Sequence, residues 1–117
     1  FTCLKAFAFD QRFERKDAHD LIYCLEHAPE GAAAVAEAFR QSLEGKHRDV
    51  VKAALNILQS RFARAGDVEG YRKDGPIATA KFEIGESDES DQREARALRQ
   101  REVSDLVEQL LARIENQ

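Results

Sequence analysis

The chain has 117 residues, of which 43% are apolar and 34% are charged, and its formal net charge is −4. This composition is typical of one small helix-rich domain with a modest hydrophobic core, and it excludes a disordered chain. Because no apolar run approaches the ~20 residues that span a bilayer, and because nucleic-acid surfaces need clustered lysine and arginine in excess, we expect a cytoplasmic protein without membrane or nucleic-acid partners.

The first half of the chain predicts four helices. Apolar residues at helical spacing predict one helix over residues 1 to about 9 and a second near 16–28, which ends before Pro29. Proline favours the first turn of a third helix, which Gly45 would terminate. A fourth helix follows over residues 46–64. Since the chain starts inside a helical pattern and contains no methionine, we interpret it as one helical domain from a longer protein.

The second half predicts a loop region and one long helix. Glycines and a proline interrupt residues 66–90, and within them residues 76–84 fit either a short strand or a helical turn. The last helix is predicted over about 91–115, with Leu98, Leu106 and Leu110 among the residues on its buried apolar side. The expected fold is therefore all-α, with about five helices in an irregular bundle.

The most informative stretch is residues 4–21, which place eight ionised side chains, four of each sign, among three phenylalanines and two leucines. On a helix, Asp17 and Asp20 share one stripe with Leu21 and Cys24. An unpaired buried carboxylate is destabilising by several kcal/mol, so both aspartates need cations nearby. The candidates close in the chain are Lys5, Arg12, Arg15 and Lys16.

Two interpretations of these acids remain open at this point. In the first, Asp17 caps the helix by accepting backbone N–H bonds, and Asp20 joins a purely structural salt bridge. In the second, the acids steady a nearby ammonium group that binds an anionic ligand.

A known family shares this pattern. The sequence Leu-Lys-x-x-Ala-x-x-x-Arg-x-x-x-Lys-Asp-x-x-Asp-Leu over residues 4–21 resembles the later motifs of the AbiEii/AbiGii toxin group of nucleotidyltransferase-like proteins. Gly75-Pro76 with Ala80 and Phe82, followed by a closing helix, is also similar to C-terminal portions of that group. The resemblance is dense over residues 4–21 and slight elsewhere.

The resemblance implies that this chain is the helical C-terminal portion of such a protein, which would use Mg²⁺ and an NTP. Lys5 would contact the nucleotide phosphates, with Arg12 and Lys16 as further binding candidates. Asp17 and Asp20 would hold these cations in place or help to activate the acceptor. The metal-binding carboxylates of the family would lie upstream, so residues 1–117 alone are expected to bind no metal and to be inactive.

The alternative hypothesis is a non-enzymatic interaction module that forms a homodimer through the last helix, with Leu106 and Leu110 at the interface. The arginines of that helix fit either a solvated face with ion pairs or a phosphate-binding grip, formed by Arg93, Arg96, Arg99 and Arg101.

Histidine and cysteine add little to the functional interpretation. The three histidines show no metal-ligand spacing, so no metal site is predicted within the chain. Cys3 and Cys24 are expected to be free thiols in apolar surroundings, and a redox switch through a disulfide between them is a third alternative.

Overall fold

The structure, a computed structural model, describes residues 2–115, which form six α-helices and one 3₁₀ turn. No β-strand occurs in this described part of the chain, so the predicted all-α fold is confirmed. The start of the first helix at residue 1 lies outside the described residues. The helices are α1 (Thr2–Arg12), α2 (Arg15–Glu26), α3 (Gly31–Leu43), α4 (Arg48–Phe62), α5 (Asp74–Ile84) and α6 (Ser90–Glu115), and the 3₁₀ turn is Gly70–Arg72.

Helix α5 lies within the predicted loop region. Over residues 76–84 it agrees with the helical turn and not with the short strand, the two structures that the sequence left open. Asp74 lies in its first turn, where a carboxylate interacts favourably with the helix dipole. Pro76 also lies in the first turn, where backbone N–H groups have no intrahelical acceptor. The N–H that proline lacks therefore removes no helical hydrogen bond. The Thr79 hydroxyl is buried and donates a hydrogen bond of 2.9 Å to the Gly75 carbonyl. The sequence did not distinguish the two structures because the buried residues of α5 are small and crowded together in the chain, which obscures the helical period.

Small residues also let α5 pack closely in the middle of the bundle, where it has extensive contacts with α2 and α6. Gly75 lies against the ring of Phe62, which is fully buried at the end of α4. That ring in turn contacts Phe9 of α1, with centroids 5.8 Å apart. The core thus joins α1, α4 and α5.

Phe13 forms the tight turn between α1 and α2. Its φ of 56° is in the left-handed region, which non-glycine residues adopt uncommonly. Its N–H donates a 2.8 Å hydrogen bond to the Phe9 carbonyl, and the Arg61 guanidinium lies 4.5 Å from its ring centroid. Helix α1 therefore extends to Arg12, beyond the predicted end near residue 9, and the turn brings α2 back against it.

Helix α6 buries its second half and exposes much of its first. Leu110 is buried in the core, and Leu106 is partly buried against it, so neither residue is placed for the dimer contact that the sequence suggested. Leu98, which was expected inside, is 61% exposed. Within residues 2–115, no helix has the length and apolar content required to cross a bilayer.

We expect Gly75→Ala to lower the free energy of unfolding by about 1–3 kcal/mol, because its added methyl group would overlap the buried Phe62 ring. In an ordinary helical position the same change would be stabilising. Urea denaturation measures the difference. Gly45→Ala is the matched control, since its nearest neighbour would be 3.7 Å away. Equal unfolding energies for the two variants would contradict this packing.

Candidate functional site

The predicted pairing of Lys5 with both aspartates is confirmed. The Lys5 ammonium, on α1, lies 3.5 Å from Oδ1 of Asp17 and 3.0 Å from Oδ2 of Asp20, both on α2. The Asp17 side chain is only 5% exposed, whereas that of Lys5 is 23% exposed. A carboxylate withdrawn from water is thus compensated by an ammonium that still reaches the surface.

Two further cations complete the arrangement. Arg12 Nη2 lies 2.7 Å from Oδ2 of Asp17, and Lys16 Nζ lies 2.8 Å from Oδ2 of Asp20. We call these five residues the Lys5 cluster: Lys5, Arg12, Lys16, Asp17 and Asp20. The three cations and two carboxylates leave one positive charge in excess. Arg15, the remaining candidate cation, pairs with Glu86 at 2.7 Å instead.

The ionisation of the cluster follows from these contacts. The hydrogen bond to Asp20 raises the pKa of Lys5, so the ammonium stays charged across the physiological range. Hydrogen bonds from Lys16 and then Lys5 lower the pKa of Asp20. The interpretation of Asp17 as the helix cap is wrong, because Asp17 lies inside the first turn of α2. The N-cap residue is Glu14, whose side chain makes no capping hydrogen bond within the described residues.

A second charged junction joins α2, α5 and α6, and sequence reasoning did not identify it. Arg99 donates two hydrogen bonds to Glu26, both 2.7 Å, and two to Glu83, at 2.7 and 3.1 Å. The bonds to Glu26 and then Glu83 raise the pKa of Arg99. Arg96 donates 2.8 Å bonds to the carbonyls of Gly85 and Ser87, just after α5. The proposed four-arginine phosphate grip is therefore wrong for these two arginines, which hold helices together.

In the described part of the chain, no three His, Cys, Asp or Glu residues converge on a metal-sized site. Cys3 and Cys24 are free, partly buried thiols, and burial raises the pKa of both. They form no disulfide.

A groove lies away from the Lys5 cluster. It has a volume of about 830 Å³ between α3, α4 and α6 and is lined by none of the five cluster residues. Its walls combine apolar and basic side chains, chiefly Leu43, Arg48, Lys52, Leu55, Leu111 and Ile114.

Comparison with known proteins adds no further constraint on this site. No family model matches the chain, and no match was found among curated proteins or solved structures. The role of the Lys5 cluster is therefore inferred from its residues and their geometry.

We expect Asp17→Asn to lower the free energy of unfolding by about 2 kcal/mol, because it removes the buried charge that Lys5 and Arg12 share. Lys16→Ala should lower it by no more than ~0.5 kcal/mol, since that ion pair is largely exposed. Chemical denaturation of both variants provides the comparison. A loss from Lys16→Ala that equals the loss from Asp17→Asn would show that burial does not determine the strength of these pairs.

Proposed function

We propose that this chain is the helical C-terminal portion of a cytoplasmic nucleotidyltransferase-like protein, in which Lys5 contacts the phosphates of a bound NTP. The observation that carries the proposal is the position of the Lys5 ammonium, held between Asp17 and Asp20 and partly open to solvent. This is the arrangement that the motif resemblance requires of its lysine and late acidic pair.

The chemistry of an ammonium group suits this role. It is a compact charge with several hydrogen-bond donors, and it binds phosphate oxygens without the planar geometry of a guanidinium. Transfer of a nucleotidyl group depends on positioning and charge stabilisation more than on covalent chemistry by the protein. A cation fixed in advance by two carboxylates loses little freedom when the ligand arrives.

The two acids serve Lys5 in this proposal and do not hold metal. Asp17 is bonded to Arg12 and Lys5, while Asp20 is bonded to Lys16 and Lys5. Carboxylates that face cations in this way do not fit a Mg²⁺ site, because the metal would meet positive neighbours. Mg²⁺ would therefore be bound by carboxylates elsewhere in the parent protein, and Arg12 and Lys16 would add positive charge at the edge of the phosphate site.

In the complete natural protein, we expect Lys5→Ala to weaken binding of an NTP with Mg²⁺ by about tenfold or more, because the variant loses a charged hydrogen bond to the phosphates. Isothermal titration calorimetry measures this affinity, and thermal unfolding checks that the variant is folded. Lys52→Ala, which changes an exposed lysine of α4, is the matched control and should bind normally. Unchanged affinity in a folded Lys5→Ala variant would falsify the proposal.

A homodimer through α6 is the second proposal, and the exposed Leu98 is the observation that favours it. Leu110 is buried in the core and Leu106 is partly buried against it. Leu98 is the large apolar side chain that α6 exposes to solvent. We expect light scattering to find a dimer that Leu98→Glu converts to monomer. A monomer at all accessible concentrations would exclude it.

A further inference from the structure

The exposed side of α2 extends beyond the Lys5 cluster into a row of rings. Its residues at positions 16, 19, 20, 23 and 27 fall within one stripe of the helix, since they are spaced by three or four residues. The first turn of the stripe carries Lys16 and the carboxylate that binds Lys5. The following turns carry Tyr23 and His27. Cations and rings therefore lie side by side on one surface.

Four rings form what we call the aromatic ladder: Phe82, His19, Tyr23 and His27. Successive ring centroids along it are 4.8, 6.0 and 4.2 Å apart. Tyr23 is 53% exposed and Phe82 is 45% exposed, so both leave ring surface open to solvent. Single exposed apolar residues are ordinary, but a contiguous row of them marks a binding surface.

The ladder is fixed in place at its centre. The His19 ring nitrogen Nδ1 lies 2.9 Å from a carboxylate oxygen of Glu83, which also accepts hydrogen bonds from Arg99. Since Arg99 is also bonded to Glu26 of α2, the two helices that carry the ladder are tied to each other. Rings held in this way provide a stacking surface with little loss of conformational freedom on binding.

The Lys5 ammonium meets α2 about one helical turn before Tyr23. Tyr23 follows Asp20 by three residues, which is a rise of about 4.5 Å along the helix axis. The Lys5 ammonium lies 3.0 Å from Asp20. A nucleotide separates its base from its first phosphate by one sugar, so a ligand with phosphates at Lys5 has its base within reach of the next turn of α2.

We propose that the base of the bound NTP stacks on Tyr23 and the adjoining ladder rings, with a preference for purines. The inference rests on the proposed function, because it takes the phosphate contact at Lys5 as its starting point. Anionic phosphates complement the excess positive charge of the Lys5 cluster, and the flat base complements the rings. Purines offer the larger stacking area. Recognition by stacking tolerates either purine, since every base has a π-face.

The test compares two ligands, ATP with Mg²⁺ and inorganic tripolyphosphate, on the complete natural protein by isothermal titration calorimetry. We expect Tyr23→Ala to weaken ATP binding about tenfold and to leave tripolyphosphate binding unchanged, because only ATP has a base to stack. Tyr23→Phe should retain the ATP affinity. The matched control is Tyr71→Ala, which removes the other tyrosine of the chain, whose ring lies 4.6 Å from the Arg101 guanidinium.

The outcomes separate the two proposals. If Tyr23→Ala binds ATP as tightly as the wild type while Lys5→Ala weakens both ligands, the stacking inference is overturned and the phosphate contact stands. If Lys5→Ala leaves the binding of both ligands unchanged, the proposed function fails and the stacking inference fails with it. Because Tyr23 is half exposed, its variants should fold normally, and thermal unfolding verifies this.

Discussion

A carboxylate withdrawn from water determines how the first two helices meet. Asp17 is almost fully buried, and an ionised group in that position needs positive charge close by. Lys5 and Arg12 supply it from α1, on the far side of the turn at Phe13. If α2 slid by one residue against α1, this compensation would be lost. The register of the two helices is thus specified by charge as well as by apolar packing.

The same contact connects stability with the proposed chemistry. A lysine that pairs with two carboxylates is well positioned but attracts anions only modestly, because most of its charge is already compensated. The exposed cations Arg12 and Lys16 restore a small positive excess around it. Binding of a polyphosphate at such a site depends on added contributions, and the ring surface on α2 is one that the chain itself provides.

The sequence predicted local features well and distant ones poorly. The Lys5 cluster was predictable because the aspartates share one helical stripe and their cations lie within the same short stretch. The Arg99 junction was not, because Glu26 is 73 residues away in the chain and no local pattern links the two. Helix α5 was not distinguished from a short strand, because its small buried residues show no clear helical period and tertiary packing decides their structure. Leu98 satisfied the helical spacing but extends beyond the core.

The four hydrogen bonds of Arg99 have a consequence for the aromatic ladder. Helix α2 cannot shift along α5 without breaking the Arg99 contacts to Glu26 and Glu83, so the Phe82 ring on α5 stays in place beside the rings of α2. In the proposed complex, a row of rings at fixed distances would bind a flat group without first having to be ordered.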